Sequence, residues 1–330
     1  MKTLASYREM DRDFIQSGFI DWLLENNGLL ARLHIKEVKG NGIKYNVRTA
    51  RGGAAWTQPN ETIVTTSGTT SQRSAAIYAL VKQADVDKFA QATNLTQDPT
   101  AAELKEAADD MMFEWSERMV HGGTTTSTGA NQPKGIFELI AELESEATTD
   151  LDSVNNTQVV AAHATSEAIT IDDMSELRDA LKLPLSCYAM NKRMRRKLES
   201  LARAQGNNLG HDRDELGYAV QTFGGTPIYI VDAIESSYPN GDGSSAMSLA
   251  SYAIGTTRAA DNDNSAIFAL NTSEQGFCIL QAGALKREGP WTPDDLDADR
   301  YRFTWYSGFG LLNKFGAAVL VNVLDTALSA

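Results

Sequence analysis

Residue types that mark several functional classes are scarce in this sequence. Cysteine occurs twice, at Cys187 and Cys278, and neither has a CxxC neighbour. That excludes a disulfide framework and a cysteine-rich zinc site, and both residues are expected to be small buried hydrophobic groups. The four histidines lack the HExxH or HxE spacing of a metal centre.

Long apolar runs are also missing. The most apolar stretch, 315–324, is interrupted by Asn322 and is far shorter than the ~18–20 residues that span a bilayer. The first residues lack the apolar run of a signal peptide. We therefore expect no membrane partner and synthesis in the cytosol.

Positive charge is in deficit. The 330 residues include 30 Lys and Arg against 43 Asp and Glu, a net charge of −13. This balance argues against a protein that reads nucleic acid with a basic surface, but not against one that encloses nucleic acid. With 42% apolar residues the chain can bury a sizeable core, and its length predicts about two domains.

Motifs for catalysis are absent. There is no GxSxG, no GxGxxG after a strand and no SxxK set. The segment Gln132-Pro133-Lys134-Gly135-Ile136 is not a P-loop, because its residue order is wrong and it follows a predicted helix. We expect no enzyme activity and no cofactor; a hydrolase with an unrecognised site remains an alternative.

The N-terminal segment carries an unusual amount of aromatic surface. Residues 1–30 are predicted to form an amphipathic helix that ends at Asn26-Asn27-Gly28. Two partners remain open for its apolar face, the chain's own domain or a neighbouring chain. Its apolar residues recur at roughly helical spacing: Tyr7, Met10, Phe14, Phe19, Trp22 and Leu23.

A long polar hairpin is predicted next. Ile43, Tyr45 and Val47 alternate with polar residues, 51–60 form a turn-rich tip, and 61–74 return with much Thr, Ser and Gly. An isolated hairpin is marginally stable in water. The segment is therefore either flexible or supported by another subunit, and 75–86 is predicted to return to a core as a strand.

The clearest helix is predicted over 99–121. Asp98 is a suitable N-cap, Pro99 suits the first helical position, and Gly122-Gly123 ends the helix. At 1.5 Å per residue its length is roughly 35 Å. Its apolar stripe is Leu104, Ala108, Met111, Trp115 and Met119.

Further helices and strands are expected toward the C-terminus. Helices are predicted over 171–181 and 191–205. Strands are predicted over 227–231, 267–270, 276–280, 301–305 and 315–323, the last two closing one central sheet.

Two kinds of charged cluster have open interpretations. The acidic stretches 261–264 and 293–299 are either solvated loops or cation sites, because carboxylates are the hard ligands that Ca²⁺ prefers. The basic run 192–197 either touches phosphate or is a solvated helix face paired with acids such as Glu199. The weak metal candidates are Asp294, Asp295, Asp297 and Asp299.

The order of these elements resembles the major capsid protein of tailed bacteriophages, whose α+β Hong Kong phage-type fold is shared with encapsulins. The similar segments are Val120-His121-Gly122-Gly123 with Gln132 to Ile136, Ser186 to Asn191 before a basic helix, and Thr226 to Asp232. The likeness covers essentially the whole chain, and it lies in the order of these motifs.

The resemblance implies a division into four parts. They are an N-terminal arm (1–35), an extended β-hairpin loop (36–74), a peripheral domain with a long spine helix at 99–121 (75–150 and 282–308), and an axial domain (151–281 and 309–330).

The resemblance also implies the function and partners. The chain would self-assemble through hexameric and pentameric capsomers into an icosahedral virion shell, built in the host cytoplasm, around double-stranded DNA held non-specifically. A separate scaffolding protein, a portal and a decoration protein are the other implied partners. The alternative is an encapsulin-like compartment that encloses enzyme cargo. The expected inter-subunit contacts are Tyr7, Phe14, Trp22, Arg48, Arg51, Trp56 and Asn60.

Overall fold

The computed structural model describes most of the chain from Gly28 onward. The described residues are 28–50, 52–54, 56–62, 65–93, 99–122, 132–145, 158–161, 168–206, 209–213, 217, 219–234, 238–239, 246–247 and 264–324. The helices are α1 (Gly28–Arg32), α2 (Lys88–Thr93), α3 (Pro99–His121), α4 (Ile136–Ser145), α5 (Ile171–Ala180) and α6 (Lys192–Ala204). The strands are β1 (His34–Glu37), β2 (Gly42–Ala50), β3 (Thr69–Ala76), β4 (Tyr78–Asp87), β5 (Val159–Ala161), β6 (Cys187–Met190), β7 (Gly210–Arg213), β8 (Ala219–Phe223), β9 (Thr226–Ile230), β10 (Tyr238–Pro239), β11 (Ala246–Met247), β12 (Asn264–Leu270), β13 (Phe277–Gln281), β14 (Lys286–Trp291), β15 (Ala298–Leu311) and β16 (Ala317–Leu324).

A seven-stranded mixed sheet has the order β5-β16-β12-β6-β9-β8-β7. Its central strands β16, β12 and β6 are mostly apolar because both of their faces are covered. Helices α5 and α6 cover one face, where Met174 and Met194 are fully buried among strand residues. Helix α4 packs on the other face, where Phe137 and Phe268 meet edge to face with ring centroids 4.7 Å apart.

A five-stranded sheet is organised around the long strand β15. One edge of β15 pairs with β4 along residues 298–307. The opposite edge pairs first with β14, along 300–304, and further on with β13, along 307–311. Strand β1 extends the sheet by parallel pairing with β13. The predicted strands at 227–231, 267–270, 276–280, 301–305 and 315–323 are all strands here, with ends that differ by a few residues.

The expectation that the last two strands close one central sheet is wrong. Strand β15 belongs to the five-stranded sheet, whereas β16 lies in the seven-stranded sheet between β5 and β12. A one-turn 3₁₀ helix at Lys314–Gly316, capped by the Asn313 side chain, separates them. The sequence between the strands therefore carries the chain from one sheet to the other.

Helix α3 has the predicted bounds, Pro99 to His121. Its predicted apolar stripe is buried in full, from Leu104 to Met119. Trp115, in the middle of that stripe, stacks on Trp305 at 5.7 Å between ring centroids and meets Phe309 edge-on at 5.2 Å. The helix is thereby fixed to β15 of the five-stranded sheet. Asp98, its predicted N-cap, lies outside the described residues.

The chain enters the core earlier than the predicted arm suggests. Helix α1 begins at Gly28, and Leu29, Leu30 and Leu33 are almost fully buried, so the predicted end of the N-terminal helix at Asn26-Asn27-Gly28 stays a prediction. Residues 1–27 lie outside the described residues. Strand β13, which the predicted division assigns to the axial domain, pairs with β15. The division into four parts stays a prediction.

Candidate functional site

The predicted hairpin is confirmed as a two-stranded sheet of its own. Strands β2 and β3 run antiparallel, from the pair Gly42–Ala76 at the base to Ala50–Thr69 at the far end. Gly42 has a φ of +154°, and a Cβ there would collide with the carbonyl oxygen of Ala75. Glycine thus permits the close approach that starts the hairpin.

The base of the hairpin is fixed to the body. The side chains of Val47 and Ala75 are buried. Arg73 donates a hydrogen bond to the carbonyl oxygen of Glu142 on α4 at 3.0 Å, and its other terminal nitrogen lies 3.9 Å from the Glu142 carboxylate. Lys134 pairs with the same carboxylate. Glu142 therefore joins the hairpin to α4 and to the segment before it.

Glu138, one turn before Glu142 on α4, is a partly buried acid beside this cluster. Its Oε2 atom is enclosed and has no hydrogen-bond partner. Burial raises the pKa of Glu138 to about 7, the positive charge of Lys134 opposes that rise, and the negative charge of Glu142 adds to it. Helix α4 thus carries, one turn from the Glu142 link to the hairpin, a carboxyl group whose pKa lies near neutral pH.

The hairpin tip, residues 52–62, is exposed wherever the structure describes its side chains. Trp56 is fully exposed. A local turn shapes the tip: the Glu61 amide donates to the carbonyl of Gln58 at 3.1 Å, and the Glu61 carboxylate accepts from the Gln58 amide at 2.9 Å. An indole held in water on an ordered turn is the kind of group that protein interfaces bury.

An open groove of about 410 Å³ lies beside the hairpin base. It runs between the first residues of β4, the middle of α3 and Gln132–Pro133. Glu114 and Arg118 form an ion pair at 2.8 Å on its α3 wall. Its lining mixes apolar side chains with one paired acid and base.

The predicted contact residues fall into three groups. Trp56 and Asn60 lie in the exposed tip. Arg48 lies in β2, where the structure describes the backbone. Tyr7, Phe14, Trp22 and Arg51 lie outside the described residues. Their role as contacts between subunits stays a prediction.

The acidic stretch at 293–299 contains two aspartates that face a lysine. Lys88 lies 3.6 Å from Asp297 and 3.8 Å from Asp299. Within the ranges that the structure covers, no group of three or more His, Cys, Asp or Glu side chains is placed to hold a metal ion. Residues 261–263 lie outside those ranges.

A second charge pair ties β15 to β4. Arg300 donates two hydrogen bonds to the Asp85 carboxylate, both at 2.6 Å. This bidentate bond lowers the pKa of Asp85. The pair is structural, because it joins facing residues of neighbouring strands.

Both cysteines are buried, as expected. Burial raises the pKa of Cys278 to about 11, so its thiol stays protonated at neutral pH. A protonated buried thiol is a weak nucleophile.

Sequence reasoning missed helix α4, which carries both Glu138 and Glu142. Its signal is the apolar pattern Ile136, Phe137, Leu139 and Ile140, spaced for one helix face directly after Gly135. All four side chains are buried.

Comparison with known proteins identifies the family. A model of the phage capsid family matches residues 11–276. None of the curated proteins matches this chain. The holo-SrpI encapsulin complex from Synechococcus elongatus PCC 7942 is similar, with 15% identity over 92% of this chain and 89% of that chain and a TM-score of 0.61.

Phage capsids have a similar fold. The capsid of cyanophage A-1(L) shares 14% identity, over 90% of this chain and 93% of that chain, at a TM-score of 0.61. A structure of Microbacterium phage Oxtober96 shares 11% identity, over 90% of each chain, at 0.56. These likenesses confirm the Hong Kong phage-type fold. Because the family model covers well over half of the sequence, the chain belongs to the phage capsid family.

Proposed function

We propose that this chain is the major structural subunit of an icosahedral virion shell, assembled through hexameric and pentameric capsomers. The observation that carries the proposal is the hairpin, whose base is fixed by Val47, Ala75 and Arg73 while its tip holds Trp56 in solvent. Such a tip gains stability only when a neighbouring chain covers it. Membership of the phage capsid family supports a structural role in the capsid.

Neighbouring subunits would bury the hairpin tip and the N-terminal segment. The hairpin supplies Arg48, Arg51, Trp56 and Asn60, and the N-terminal segment supplies Tyr7, Phe14 and Trp22. Obligate interfaces bury about 2,000–5,000 Å², and surfaces of this kind from several neighbours would add up to such an area. Shell contacts are heterologous, so each copy both gives and receives a hairpin.

The enclosed partner would be double-stranded DNA. Scaffolding protein, portal and decoration protein would be the other partners of the shell, and assembly would take place in the host cytoplasm. The net charge of −13 supports a wall that contains DNA without gripping it overall, since attraction to phosphate grows with the number of Lys and Arg presented. None of the helices in the described part of the chain has the length and hydropathy needed to cross a membrane.

Deletion of residues 51–60 tests the role of the hairpin tip. The tip contributes no buried side chain among its described residues, so the variant should fold with an unchanged circular dichroism spectrum and yet fail to form particles in the electron microscope. Trp56→Ala should weaken assembly in the same direction. Asn46→Ala, an exposed change within β2, is the control and should assemble normally.

Loss of folding in the deletion variant would place the tip in the core and contradict the proposal. Particles that contain protein cargo and no DNA would favour the encapsulin-like alternative.

A further inference from the structure

We draw no further inference here: the strongest candidate, the open groove between the first residues of β4, the middle of α3 and Gln132–Pro133, carries no proposal, because nothing in the structure shows what occupies it and a neighbour's hairpin seated there would restate the contact between shell subunits already proposed.

Discussion

Glu138 should make the stability of the protein depend on pH. Its pKa is raised from an ordinary 4.5 to about 7 in the folded chain. Between pH 4.5 and about 7, Glu138 therefore keeps its proton in the folded protein and loses it in the unfolded chain. The contribution of Glu138 is therefore fully present below pH 4.5 and is lost as the pH rises through about 7.

The size of the effect follows from the pKa. At roughly 1.4 kcal/mol for each unit of pKa, the change has a ceiling of about 3 kcal/mol. The side chain is only partly enclosed, and solvent screening reduces that figure, so we expect about 1–2 kcal/mol.

Glu138→Gln removes the titrating group and keeps its shape. Urea unfolding, followed by tryptophan fluorescence at several pH values from 4.5 to 7.5, gives the unfolding free energies of both proteins. As the pH rises, the unfolding free energy of the variant should increase by about 1–2 kcal/mol relative to that of the unmodified chain. Glu103→Gln, an exposed change on α3, controls for the loss of one negative charge. If the unfolding free energies of the Glu138 variant and the unmodified chain changed with pH in parallel, the reasoning would be refuted.

Two further predictions concern the residues that hold α6 and the hairpin in place. Asn191→Ala removes the cap of α6 and a buried hydrogen bond to Ser265, and should lower the unfolding free energy by about 1–3 kcal/mol in urea, with exposed Asn46→Ala as the neutral control. Glu142→Ala removes the carboxylate that lies near both Arg73 and Lys134 and keeps the backbone carbonyl that accepts from Arg73; it should speed hydrogen exchange in β2 and β3 while changing global stability by less than about 1 kcal/mol. Unchanged exchange in those strands would show that the Glu142 carboxylate does not hold the hairpin.

The local elements of the fold could be predicted because their signals lie within a few residues. Helix α3 has its proline start, its apolar stripe and its glycine stop in one stretch of sequence. The hairpin shows strand alternation too polar for a core, and it forms a separate two-stranded sheet. Helices α5 and α6 likewise follow their predicted ranges closely.

The arrangement of the strands could not be predicted, because it depends on partners distant in sequence. Strands β15 and β16 are separated by only five residues, yet they lie in different sheets. Strand β1 joins β13 across more than 200 residues. The enclosure of the Glu138 Oε2 atom could not be predicted either, because it depends on how α4 packs.

Electron microscopy of the purified, unmodified chain tests the shell function most directly. With scaffolding protein supplied where assembly requires it, the chain should form closed icosahedral particles or rings of five and six subunits. A compact monomer that persists at high protein concentration, with or without scaffolding protein, would contradict the account.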